Sequence, residues 1–156
     1  MMNCYRICKY DPQYRAPDGT YERDEWTDYS DIGKTFDGTV LTEDTYLLAE
    51  QQHIACITDL LRRSGVDAVE ISRCENGGNW SDGQRIPVIA LAPLLQDCLR
   101  GNCWCVLTAP DAYVHFGYDY YVYVGCLLSP DVVSGICRTH CLFANLQSSP
   151  YAEDNE

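Results

Sequence analysis

The sequence predicts an α+β fold, a mainly antiparallel sheet with one long helix and one or two short helices packed on it. Three observations carry this. Apolar residues recur at helical spacing between Tyr46 and Leu61, period-two alternation takes over from Cys103, and the strand-like segments follow one another through turns. With 156 residues and 46% hydrophobic content, the chain has the material for one domain with its own core. Residues 1–156 are therefore read as a single domain, with an acidic loop segment at 10–41 and an acidic tail at 152–156.

Residues 3 to 9 form the first strand, with Tyr5 and Ile7 on one face and Cys4, Arg6 and Cys8 on the other. Residues 10 to 41 are rich in Gly, Pro, Asp and Tyr, and a connection of that length is functional more often than idle. Thr42 suits an N-cap, and Glu43 and Asp44 suit the positive end of a helix dipole. Leu47, Ile54, Ile57 and Leu61, widened by Tyr46 and Leu60, make the helix stripe, and Gly65 ends it after Arg62 and Arg63. His53 falls beside this stripe, as a hydrogen-bonded boundary residue.

Residues 68 to 74 read as a strand, 75 to 83 as a loop, and 85 to 91 as a strand or a helix entry. Pro93 opens a short helix that runs through Arg100 and closes at Gly101. Residues 104–107, 112–116 and 121–126 are strands, the last two joined through Gly117-Tyr118-Asp119-Tyr120. Val114, Phe116, Val122, Val124 and Cys126 face the core, while Tyr113, His115, Tyr121 and Tyr123 line the opposite face. A short helix near 131–137 and a strand around 141–146 complete the order.

Charge narrows the function. There are 23 acidic residues against 11 basic ones, a formal charge of −12. That excludes a basic footprint of the kind that grips nucleic acid and favours attraction to basic partners. Most of the excess lies in residues 11–50, where Asp11, Asp18, Glu22, Asp24, Glu25, Asp28, Asp31, Asp37, Glu43, Asp44 and Glu50 meet only Arg15, Arg23 and Lys34. Tyr14, Tyr21, Trp26 and Tyr29 interleave with these acids, and Tyr and Trp suit interfaces because they bury large area and keep a polar handle. No apolar run reaches the ~20 residues of a spanning helix, and no export signal opens the chain, so the expectation is a cytoplasmic protein with reduced thiols.

Chemical motifs are sparse. The phosphate-binding loop, the His-Glu-x-x-His metal motif and the Gly-x-Ser-x-Gly elbow do not occur. The ten cysteines offer Cys4-x3-Cys8, Cys103-x-Cys105 and Cys137-x-x-His140-Cys141, none with the Cys-x-x-Cys spacing of a zinc knuckle. Most, including Cys56, Cys98 and Cys126, are read as small core hydrophobes. The expectation is a protein without catalytic residues, metal or cofactor. The rival reading is a small cytosolic enzyme or metal-binding protein in which Cys103 or Cys105 is paired with His115.

Two stretches point further. One is Tyr5-Arg6-Ile7-Cys8-Lys9-Tyr10-Asp11-Pro12 with Asp24-Glu25-Trp26-Thr27-Asp28-Tyr29-Ser30-Asp31-Ile32-Gly33. The other is Phe116-Gly117-Tyr118-Asp119-Tyr120-Tyr121-Val122-Tyr123-Val124-Gly125, with Ser149-Pro150-Tyr151 near the end. Together they resemble small cytosolic bacterial proteins that include the immunity proteins of contact-dependent growth inhibition and other polymorphic-toxin systems. The resemblance implies an inhibitor that occludes a cognate toxin domain, often a nuclease with a basic cleft, and contacts neither nucleic acid nor membrane. On this reading Asp24, Glu25, Asp28 and Asp31 steer the encounter, with Asp119 at an acidic hairpin tip. Trp26, Tyr29, Tyr118 and Tyr120 would anchor it, and Trp26 is equally suited to pinning the long loop into the core.

Overall fold

A computed structural model describes residues 2–152, so residues 153–156 of the acidic tail lie outside the described residues. The elements are β1 (Asn3–Cys8), β2 (Thr35–Phe36), β3 (Thr39–Val40), α1 (Glu43–Arg63), β4 (Ala68–Glu75), β5 (Arg85–Pro87), α2 (Ala92–Leu99), β6 (Trp104–Ala109), β7 (Ala112–Phe116), β8 (Val122–Cys126), α3 (Pro130–Thr139) and β9 (Phe143–Leu146). Seven strands form one sheet in the order β5-β4-β6-β7-β8-β1-β9, antiparallel at every pairing. The fold is α+β, as the sequence predicts. The first strand is not an edge, because β8 and β9 pair with its two sides.

Register explains the core. Ile71, Leu107, Val114, Val124 and Tyr5 lie opposite one another across five strands, and all are buried on the face that packs against the helices. The reverse face carries His115, Tyr123 and Arg6 in register, the side expected for both aromatics. It is not open to solvent, since His115 and Tyr123 are buried. The chain end covers it: Ser149 Oγ lies 2.7 Å from His115 Nδ1, and the Tyr151 carbonyl accepts from Arg73. Tyr113 lies over Gly125, where a Cβ would stand 2.1 Å from the ring.

Helix α1 is capped as its sequence requires. The Thr42 side chain accepts from the Thr45 amide, and the amides of Gly65 and Val66 close the other end on Arg62 and Leu61, with Gly65 at φ 77°. The buried seam differs from the apolar stripe. It runs through Tyr46, Glu50, His53, Ile57, Leu60 and Leu61, while Leu47 and Ile54 are only half-buried. His53 is therefore a core residue rather than a boundary one. Its Nδ1 lies 2.6 Å from the Ala49 carbonyl, and the ring meets Tyr120 edge-on.

The long acidic segment is ordered by its own turns. Pro12–Tyr14 and Tyr29–Asp31 are short 3-10 turns, and Asp37-Gly38, both at positive φ, join β2 to β3 as a tight hairpin. Residues 85–91 resolve into both candidate structures, β5 followed by a 3-10 turn at Val88–Ala90. Among the described residues no helix is long and apolar enough to cross a membrane.

Burial gives the fold an acid limb. Desolvation pulls the His53 imidazole from its ordinary 6.5 down to about 4, and burial with nearby Arg73 does the same to His115. The unfolded chain takes up these protons below about pH 6.5 and the fold does not until about pH 4, so stability is complete above that window and falls through it. His53 alone is expected to lose about 3 kcal/mol by pH 4. Urea unfolding at steps from pH 7 to 4 measures the slope, and His53→Gln should flatten it.

Candidate functional site

A cleft of ≈ 460 Å³ opens where β6 begins, β7 ends and the β7–β8 turn projects. Its lining brings three carboxylates, Asp28, Glu75 and Asp119, together with Trp104, Tyr118, Tyr120 and Tyr121. No Lys, Arg or His lines it among the described residues. Each acid arrives from a different element. Asp28 precedes the 3-10 turn at Tyr29–Asp31, and Asp119 sits in the β7–β8 turn. Glu75 ends β4 beyond a register shift between Ser72 and Glu75, where Arg73 takes φ 53°.

The turn is held by what lies beneath it. Asp119 and Tyr120 both take positive φ, 58° and 65°, a conformation disfavoured for a side chain as bulky as Tyr. Burial offsets that strain: Tyr120 is 5% exposed, and its hydroxyl donates to the Tyr46 hydroxyl at 2.9 Å. Tyr46 in turn donates to Glu50 at 2.7 Å. Arg100 closes on the same carboxylate through Nε at 2.7 Å and Nη2 at 2.9 Å, and Gln96 adds a further bond at 3.0 Å. Burial would raise the Glu50 carboxyl, but these donors outweigh it and hold the group below its ordinary range.

The predicted residues separate into two sets. Trp26, 5% exposed, packs edge-on against Tyr46 and Tyr120, so the structure places both Trp26 and Tyr120 in the core rather than among exposed anchors. The Trp26 carbonyl accepts from Lys9, whose ammonium lies 4.0 Å over the indole and is pulled by burial down to about 8. Glu25 pairs with the same Lys9 at 3.4 Å. Asp31 accepts from the Thr27 amide and from Lys34, which makes it a fastener of its own turn. Asp24 is exposed but lies outside the cleft, accepting from the Asp37 amide. Tyr29 is half out, with its ring on Tyr46 and under Arg100.

Asp28, Tyr118 and Asp119 are the predicted residues that reach the cleft with exposed side chains, and Tyr118 is 85% exposed. The lining also includes Glu75, Trp104 and Cys98, which no motif marks, and Cys103, which the sequence marks only as a possible partner of His115.

The rival constellation does not assemble. His115 pairs in register with Val106, which puts its side chain on the opposite face of the sheet from Cys105, and its ring meets Ser149 and Tyr113 instead. The ten cysteines are free thiols. Among the described residues no group of three or more His, Cys, Asp or Glu is arranged to hold a metal ion.

The Glu50–Arg100 pair makes a stability prediction. Arg100→Met leaves a buried carboxylate without its cation and is expected to cost about 3–5 kcal/mol in chemical unfolding. Adding Glu50→Met should recover most of that loss. The chain matches no protein-family model, no curated protein and no solved structure significantly, so the resemblance to immunity proteins rests on the quoted residues.

Proposed function

We propose that this chain is a cytoplasmic, non-enzymatic immunity protein that binds a cognate toxin domain and blocks it stoichiometrically. The observation that carries the reading is the cleft: three carboxylates converge there with no basic side chain among its described lining, beside a tyrosine left 85% exposed. A surface of that kind attracts a basic partner and offers its Lys and Arg side chains both charge and aromatic faces. Such a partner fits a nuclease cleft built to hold phosphate.

Roles divide by geometry. Asp28, Glu75 and Asp119 steer and orient, with exposed Asp24 adding to the field. Tyr118 supplies buried area once the complex forms. Trp26 and Tyr120 act from beneath by fixing the turn and the segment that carry the contact groups, which spares the complex part of the ordering entropy.

A titration against the C-terminal domain of whatever protein is encoded immediately upstream tests the reading. A tight one-to-one complex that abolishes toxicity is expected, and a folded domain that neither binds nor loses activity overturns it. In that complex, neutralising the cleft with Asp28→Asn, Glu75→Gln and Asp119→Asn should slow association about tenfold at low salt, an effect that fades near 0.5 M salt as charges are screened, on the order of a 3–5 Å Debye length. Tyr118→Ala should act mainly on dissociation, speeding it about tenfold or more.

A further inference from the structure

The cleft wall holds two thiols that the binding reading leaves unused. Cys98 lies in the last turn of α2, and Cys103 follows the reversal that ends it. Gly101, at φ 76°, donates to the Cys98 carbonyl and Asn102 donates to the Asp97 carbonyl, which folds the chain back on the helix. The two sulfurs come to 3.6 Å, and both residues line the cleft. We propose that Cys98 and Cys103 form an oxidisable dithiol, which small cationic disulfides close to a Cys98–Cys103 disulfide.

Proximity alone does not select this pair. Cys56 and Cys137 also have their sulfurs 3.6 Å apart, but they lie fully buried between α1 and α3 and line none of the clefts described. Cys105 stands 3.8 Å from Cys98, yet it is fully buried on β6 and outside the cleft lining. Cys98 and Cys103 are themselves buried, at 7% and 5% exposed, but theirs is the pairing in which both residues line the cleft. Charge then selects the reagent, because Asp28, Glu75 and Asp119 concentrate cations in the cleft and repel anions.

The roles within the pair follow from their neighbours. The Cys98 thiol favours the Cys103 thiolate and holds that group below its ordinary value despite burial, whereas Cys98 is pushed up by its two thiol neighbours and by burial. Cys103, carried on the turn after α2 rather than within the helix that holds Cys98, is the attacking sulfur. Its thiolate displaces one half of the incoming disulfide as a thiolate and keeps the other half as a mixed disulfide. Cys98 then attacks the Cys103 sulfur, its proton passes to the departing second thiolate, and two small thiols are released for one protein disulfide formed. Closure needs the sulfurs to move from 3.6 Å to about 2 Å, within reach of a loop of this length. The site is independent of any protein partner.

The test uses the whole reduced protein with cystamine, a dication, or glutathione disulfide, an anion, at equal concentration. Remaining thiols are blocked with N-ethylmaleimide, and digestion with trypsin and chymotrypsin cuts at Arg100 and Trp104, so that Cys98, Cys103 and Cys105 fall in separate peptides unless linked. Cys98–Cys103 should be the first link formed, about tenfold faster with cystamine than with glutathione disulfide, with the difference shrinking as salt is raised. Cys98→Ser should retain cysteamine on Cys103, as an open mixed disulfide. A first link at Cys56–Cys137 or Cys98–Cys105, equal rates with the two reagents, or cysteines that all remain open to maleimide would each overturn the proposal, and mapping in the unmodified protein decides even where the variant does not fold.

Discussion

Glu50 is a carboxylate with 1% of its surface in water, and the end of the molecule that carries the cleft is organised around keeping it satisfied. An ionised group so placed is tolerated only when donors replace its hydration. Arg100, Gln96 and Tyr46 supply them, from the turn after α2, from α2 itself and from the preceding turn of α1. The pair therefore fixes where α2 ends relative to α1. It also orients the Tyr46 hydroxyl, so that the next hydroxyl along, Tyr120, has one place to donate.

From that point the constraint passes to the surface. Tyr46 and Tyr120 make the floor on which Trp26 rests, and Trp26 holds the acidic segment through Lys9 and Tyr10. Tyr10 also donates to the Asp119 carbonyl at 2.6 Å, which ties that segment to the hairpin turn. Two cleft walls far apart in sequence, around Asp28 and around Asp119, thus share one foundation in α1. Contact groups carried on a pre-set frame lose less entropy on binding than groups on a free loop, which is why a segment so rich in Asp and Gly benefits from a buried tryptophan. The same frame puts Cys98 and Cys103 in the cleft, because Arg100 sits in the turn between them.

Local chemistry made most of the fold legible. The Thr42 cap, the Gly65 and Gly101 stops and the alternation through β7 and β8 each state their structure within a few residues. The β2–β3 hairpin lies inside the segment read as a loop, because two strands of two residues about Asp37-Gly38 carry no period that a polar surround leaves readable. What periodicity could not give was the seam of α1: Glu50 and His53 occupy core positions that an apolar pattern does not count. For the site, Asp28, Tyr118 and Asp119 follow from exposure and charge alone. Trp26 and Tyr120 belong to the interior because their partners, Tyr46 and Glu50, lie tens of residues away, and Glu75 reaches the cleft only through a register shift that no local signal encodes.

Tyr46 and its neighbours hold both walls of the cleft together. Amide hydrogen exchange on a Tyr46→Leu variant tests it most directly, by removing the rings' common contact and the hydroxyl between Glu50 and Tyr120. Protection is expected to fall together at the Thr27 and Asp31 amides and at the Gly117 and Tyr121 amides, while the paired amides of β4 and β6 keep theirs. Faster exchange confined to α1, with both walls still protected, would contradict it.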